Sequence, residues 1–203
     1  MDALTCIKKL GYVGALDFAT VDEDGAPQIR NISAIHFEGK DIYFLTARGK
    51  YFASQLKRDG RVQILGYTRY KETIRVSGCA VEVPEDEQIK WRNVLYQEQP
   101  YLENMYPGET KNIDTMFVIR DYTIEYFCLS TRPITREYFA VGNVQIKPKG
   151  YVIGEECIGC GTCQTVCPQD VISEGTPYVI DANHCLQCGN CAENCPVEAI
   201  RRL

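Results

Sequence analysis

The chain has 203 residues, 45% hydrophobic and 24% charged, with a net charge of −5, which leaves room for one medium domain and one small one. No apolar run approaches the length that spans a bilayer, and the opening Met1-Asp2-Ala3-Leu4-Thr5 lacks a basic stretch followed by an apolar one, so no membrane or export segment is expected and the cytoplasm is the expected compartment. The whole negative excess lies in residues 151–203, with two basic and seven acidic side chains, and nucleic acid is therefore not an expected partner.

In chain order, Asp2 to Lys9 reads as a short helix capped by Asp2 and stopped by Gly11. Strands follow: Tyr12 to Val21, the turn Asp22-Glu23-Asp24-Gly25, Pro27 to Phe37, the turn Glu38-Gly39-Lys40, and Asp41 to Thr46. Arg48 to Lys57 has the apolar stripe Phe52, Ala53 and Leu56 of a helix. Arg61 to Thr68 and Lys71 to Val83 make another hairpin, and residues 85–106 read as helical and aromatic. Met116 to Arg120 and Thr123 to Leu129 complete six or seven antiparallel strands, which suggests a small barrel. Residues 131–150, with Pro133, Gly142, Pro148 and Gly150, read as a connection between domains.

The helix start Thr46-Ala47-Arg48-Gly49-Lys50 carries two cations and no acid. Cations there oppose the helix dipole at a cost of about 0.3–1 kcal/mol each. A bound phosphate would reverse the sign, held by backbone N–H groups, the Thr46 hydroxyl, Arg48 and Lys50, with Arg30 completing the cradle. The plain alternative is a solvated helix start.

Residues 10–130 resemble the FMN-binding split-barrel family typified by pyridoxamine 5'-phosphate oxidase. The resemblance is carried by Ala19 through Arg30, Ile42-Tyr43-Phe44-Leu45-Thr46, Lys50 through Leu56, and Ile74-Arg75-Val76-Ser77-Gly78. It implies that Arg30, Thr46, Arg48 and Lys50 hold the FMN phosphate, with Leu45 beside them. It also implies that Asn31, Ile32 and Ser33 run along the flavin ring, that Thr73 lies near it, and that the protein is a homodimer with a flavin at the interface. The namesake oxidase has a glutamine where Thr73 stands, and its C-terminal arginine–histidine substrate motif has no match here. Pyridoxamine phosphate is therefore not the expected substrate. Trp91, Tyr96, Tyr101 and Tyr106 are candidates for a pocket wall or for ordinary core. Some relatives bind haem or deazaflavin in place of FMN; His36 would be the haem ligand on that reading, but a histidine on an alternating strand is more often ordinary packing.

Eight of the eleven cysteines fall in the last 47 residues. Cys157, Cys160 and Cys163 precede Cys167-Pro168; Cys185, Cys188 and Cys191 precede Cys195-Pro196. This is C-x2-C-x2-C-x3-C-P twice over, with corresponding cysteines 28 residues apart. In two-cluster proteins the fourth cysteine of each run reaches the other cluster. One [4Fe-4S] cluster is then expected on Cys157, Cys160, Cys163 and Cys195, and the other on Cys185, Cys188, Cys191 and Cys167. Zinc sites come as separated pairs, and disulfides need an oxidising compartment. Gly159, Gly161 and Gly189 let the backbone bend closely around a cluster. Tyr151-Val152-Ile153 and Tyr178-Val179-Ile180 lead into the two runs. Residues 148–203 thus resemble a bacterial 2[4Fe-4S] ferredoxin, and that resemblance implies that Tyr151 and Tyr178 pack near clusters. His184 reads as a loop residue and not a ligand. Cys6, Cys79 and Cys128 are isolated and read as buried apolar cysteines.

The expected fold class is therefore mainly β, within α+β. Residues 1–130 form an antiparallel split barrel with short helices, 131–150 a linker, and 151–203 a small α+β ferredoxin domain with two clusters. The expected function is an FMN- and iron–sulfur-dependent oxidoreductase that reduces a small-molecule substrate, with a redox partner protein docking at the acidic tail and an anaerobe as the setting. The alternatives are an electron carrier with no substrate of its own and a haem-binding split-barrel protein.

Overall fold

The computed structural model describes residues 1–203 as two compact units. Residues 1–68, 73–125 and 139–145 make the first, and residues 69–72, 126–138 and 146–203 make the second.

The first unit opens with α1 (Ala3–Val13), capped by the Asp2 carboxylate, which accepts the Thr5 N–H at 2.7 Å. The helix runs past the expected stop at Gly11. Its left-handed terminator is Gly14, φ 78°, whose N–H returns to the Leu10 carbonyl. The strand expected from Tyr12 consequently begins only at Leu16. β1 (Leu16–Val21) and β2 (Pro27–Ile32) form a hairpin in which Asp22 accepts the Asp24 and Ala26 N–H groups.

The chain continues through β3 (Ile35–Glu38), β4 (Asp41–Ala47), α2 (Tyr51–Arg58), β5 (Arg61–Tyr67), β6 (Glu72–Cys79), β7 (Val81–Glu82), α3 (Glu85–Glu98), α4 (Tyr101–Met105), a 3₁₀ turn at Gly108–Ile113, β8 (Asp114–Ile119), β9 (Tyr122–Cys128) and β10 (Thr135–Val141), the last two shared between the units. One sheet has the order β10-β9-β6-β5-β1-β2 and the other β3-β4-β8-β7.

Two expected strands are each divided between these sheets. The stretch 27–37 breaks at Ser33-Ala34, where the Ile35 N–H turns back onto the Ser33 carbonyl at 2.8 Å, and β3 leaves to pair with β4. The stretch 71–83 breaks at Ala80, whose N–H bonds the Gly60 carbonyl at 2.8 Å. Such corners let a strand change sheets. β10 lies inside the stretch expected to be an irregular connection.

β4 and β8 are buried almost throughout. Their register, Tyr43 opposite Val118 and Leu45 opposite Met116, puts these four on one face. There α3 lays Trp91 and Leu95 against them. Phe44 joins Phe18, Phe52 and Phe117 in another aromatic cluster, with ring centroids 5.0 Å from Phe18 and 5.7 Å from Phe117. Burial of each such side chain stabilises the fold by roughly 1.5–3 kcal/mol.

The second unit shows its repeat in space. β11 (Tyr151–Ile153) pairs antiparallel with β14 (Ile200–Arg202), and β12 (Ile172–Ser173) with β13 (Val179–Ile180). The entering strand of each half therefore meets the closing strand of the other. The short helices α5 (Thr162–Thr165) and α6 (Asn190–Glu193) each follow a left-handed glycine, Gly161 at φ 75° and Gly189 at φ 86°.

Candidate functional site

The cysteines of the second unit surround two cavities. One is lined by Cys157, Cys160, Cys163 and Cys195, with Tyr178 beside them. The other is lined by Cys167, Cys185, Cys188 and Cys191, with Tyr151 beside them. Three thiols of each quartet come from one half of the repeat and the fourth from the other half. The thiols surround a void and do not meet at a point, and no three His, Cys, Asp or Glu side chains converge as they would on one ion.

Backbone N–H groups already turn to sulfur. Gln187 N lies 3.3 Å from Cys185 Sγ, and Ala199 N lies 3.3 Å from Cys195 Sγ. Burial, followed by the neighbouring Cys185, pushes the Cys191 thiol up to about 11, and burial also raises Cys163 and Cys185. An all-sulfur donor set suits iron–sulfur clusters, whose binding displaces the thiol protons. The quartets fit the group that the cysteine spacing implies.

In the first unit, Arg30 on β2 is bound to α2. Its guanidinium donates to Gln55 Oε1 at 2.9 Å and to Thr20 Oγ1 at 2.5 Å, and it stands 4.5 Å from the centre of the Phe52 ring. Thr20 in turn donates to Gln55 at 2.6 Å. Arg48 and Lys50 lie ahead of α2 and not within its first turn as the sequence suggested. The Lys50 N–H closes a turn onto Ala47, and the helix begins at Tyr51. That start has no side-chain cap and no acid, so its amides keep their affinity for an anion. The Arg48 guanidinium donates to the Asn112 carbonyl at 2.6 Å, and the Lys50 ammonium stands 5.9 Å from the Tyr106 ring.

The other expected contacts are spread more widely. Asn31 and Ser33 are exposed and Ile32 is half-buried. Asn31 donates to Asp17 at 3.2 Å, and the Ser33 and Tyr101 hydroxyls meet at 2.7 Å. Thr46 is buried opposite Thr115, and Thr73 is half-buried opposite Tyr67. The Leu45 side chain is packed into the core beneath α3, and its N–H donates to the Ala34 carbonyl at 3.3 Å. The aromatic segment divides by role. Trp91 stacks on Tyr43 at 4.0 Å as core, whereas Tyr101 and Tyr106 reach Ser33 and Lys50. Gln55, Thr20 and Asn112, which hold the two arginines, had no sequence signal beyond their polarity.

His36 Nδ1 is 2.9 Å from Glu98 and its Nε2 is 3.4 Å from Glu38. Both ring nitrogens are thus engaged by carboxylates. The His184 Nδ1–H donates to the Ile134 carbonyl at 2.7 Å. Of the isolated cysteines, Cys6 and Cys128 are buried, whereas Cys79, at the end of β6, is exposed and not buried as expected.

Residues 13–125 match the pyridoxamine 5'-phosphate oxidase family, and residues 156–199 match the 4Fe-4S dicluster domain. The chain belongs to the pyridoxamine 5'-phosphate oxidase family. Its fold resembles that of a NimC/NimA family protein from Clostridium acetobutylicum, with a TM-score of 0.58 and 18% identity over 68% of this chain and 90% of that one. At that identity the likeness is one of fold. The cysteine-rich tail is 56% identical over 31 residues to a ferredoxin of Butyribacterium methylotrophicum, covering 15% of this chain and 56% of the ferredoxin. It is 56% identical over 34 residues to the 4Fe-4S ferredoxin FdxA of Gottschalkia acidurici, covering 16% of this chain and 61% of FdxA. The chain thus spans rather more than half the length of the curated relatives it matches. A family member with a flavin-binding fold carries a 4Fe-4S ferredoxin domain on the same chain, a combination suited to electron transfer. No helix is long and apolar enough to cross a membrane.

Proposed function

We propose that the protein is an oxidoreductase in which two [4Fe-4S] clusters exchange electrons with FMN and a small molecule is reduced. The observation that carries this reading is the pair of cavities, each bounded by four thiols drawn crosswise from the two halves of the repeat, on a chain whose other unit belongs to a flavin-binding family. Cys157, Cys160, Cys163 and Cys195 are the ligands of one cluster, and Cys167, Cys185, Cys188 and Cys191 those of the other. When bound, clusters carry single electrons and a flavin carries one or two, so their union turns one-electron supply into two-electron reduction.

The chain's own residues bind and orient. Arg30, Arg48, Lys50, the Thr46 hydroxyl and the opening amides of α2 receive the FMN phosphate. Asn31, Ile32, Ser33, Thr73 and the main chain at Leu45 border the ring, with Tyr101 and Tyr106 at its approach. Residues 1–130 serve as the flavin domain, 131–150 as the connection and 151–203 as the cluster domain. The outer face of the six-stranded sheet carries Ile29 and Tyr67, 70% and 62% exposed. We assign it to a homodimer contact beside the flavin. Pyridoxamine phosphate is not the substrate, a redox partner docks on the acidic tail, and the cytoplasm is the compartment.

Oxygen-free purification tests the reading, with mass spectrometry of the released small molecules and analysis of iron and sulfide. The expected result is FMN with about eight iron atoms per chain, and bleaching of the flavin by a low-potential donor. A colourless protein holding zinc and no flavin overturns it. A sealed ring edge with no binding of small oxidants favours the electron carrier instead.

A further inference from the structure

The 28-residue repeat gives the two cysteine quartets near-equivalent surroundings, yet one has a buried cation beside it and the other does not. Arg136 on β10 is 8% exposed and is the buried cation of the second unit; within residues 151–203 the only cations are Arg201 and Arg202, both exposed. Its N–H donates to the Asn183 carbonyl at 2.7 Å, two residues before Cys185. Its guanidinium stands 4.4 Å from the centre of the Phe127 ring. The next contacts hold the same strand against the same loops. Ile134 N–H donates to Gln169 Oε1 at 2.9 Å, the Ile134 carbonyl accepts from His184, and Gln187 Nε2 meets the Tyr138 hydroxyl at 3.3 Å.

These contacts all fall on the side of Cys167 and Cys185. Arg136 is the buried cation whose charge is felt at Cys185.

We propose that Arg136 sets the cluster on Cys167, Cys185, Cys188 and Cys191 at a higher reduction potential than its counterpart, so that an electron entering the second unit comes to rest there. The inference depends on the reading that each quartet holds a cluster. A buried cation lowers the energy of the more negative, reduced cluster, and in a low-dielectric interior that effect is weakly screened. Each quartet would hold a cluster that gains or loses one electron at a time, and the buried charge of Arg136 would favour the reduced state of the cluster beside it. No bond or proton changes place.

The test is a dithionite titration of the complete holoprotein, followed by electron paramagnetic resonance, on the native chain, R136Q and R136K. The native chain is expected to show two midpoint potentials. In R136Q the higher one falls, changing the one-electron equilibrium between the clusters at least tenfold, or about 59 mV. R136K keeps most of the gap, because the charge remains although the flat contact with Phe127 is lost. Iron and sulfide counts on each preparation separate the two ideas. A chain without iron overturns the parent reading and this one together. Two bound clusters with equal potentials, or a gap unchanged in R136Q, or the same loss in R136K as in R136Q, overturns this inference alone.

Discussion

Arg30 of β2 and Gln55 of α2 are joined by a hydrogen bond of 2.9 Å, with Thr20 bonded to both. Gln55 and Thr20 are 8% and 4% exposed and Arg30 is half-buried, so this polar network fixes a guanidinium against the helix whose uncapped start is the proposed phosphate seat. Replacing Gln55 by leucine leaves Arg30 and Thr20 short of a partner, at a cost of about 1–3 kcal/mol. Urea unfolding followed by Trp91 fluorescence is expected to show that loss. R30A is expected to weaken flavin retention at least tenfold in equilibrium dialysis, and undiminished retention sinks the role given to Arg30.

The crosswise sharing of cysteines makes a prediction that a sequential sharing does not. C167S is expected to disable the cluster of Cys185, Cys188 and Cys191, while the cluster of its own run, Cys157, Cys160 and Cys163, persists. Iron analysis of C167S should give about half the native content. In the double variant C167S/C157S both clusters should fail; in C167S/C185S one should survive. The reverse pattern refutes the crossed arrangement.

At Gly189, φ is +86° and an added Cβ would stand 2.8 Å from the Tyr151 hydroxyl oxygen. G189A therefore meets both left-handed strain, about 1–2 kcal/mol, and a displaced ring on the wall of one cavity. The expected outcome is faster loss of visible absorbance in air than for the native protein. Gly161 has a looser contact, 3.2 Å from the Tyr178 hydroxyl, and G161A should bleach at an intermediate rate.

Asp114 is 3% exposed, and burial raises its carboxyl above the ordinary range, against the lowering effects of the Tyr96 hydroxyl and Arg92. A raised folded-state value means that its contribution to stability is fully present below about pH 3.9 and is lost as pH rises through the raised value. D114N keeps an acceptor for Tyr96 and removes the charge. It is expected to melt a few degrees above the native chain at pH 7.5, with the difference shrinking towards pH 4, by Trp91 fluorescence. A D114N chain less stable at pH 7.5 contradicts this account.

Much of the architecture was legible because it rests on local chemistry. The hairpin turn at Asp22 to Gly25, the Asp2 cap and the left-handed glycines before the cluster helices are each properties of a few adjacent residues. The strand breaks at Ser33-Ala34 and Ala80 were not legible. The residues there suit an extended chain, and the switch depends on which distant strand accepts them: β4 at the first corner, the Gly60 carbonyl and β8 at the second. β10 was hidden by the prolines and glycines on either side of it.

The sequence by itself determined that eight thiols stand in two repeated runs, and the spacing alone was enough to expect two clusters. The reason is that ligand spacing is read along the chain, within one loop. Only the tertiary structure decided what surrounds each quartet, because a buried cation acts through space. Arg136 lies 49 positions before Cys185, in a stretch that reads as a connection, and it reaches that cysteine's neighbourhood only when β10 bonds to Asn183. In the same way, Arg30 could be named from its strand, but the residues that hold it, Thr20, Phe52 and Gln55, come together only when α2 packs against β1 and β2.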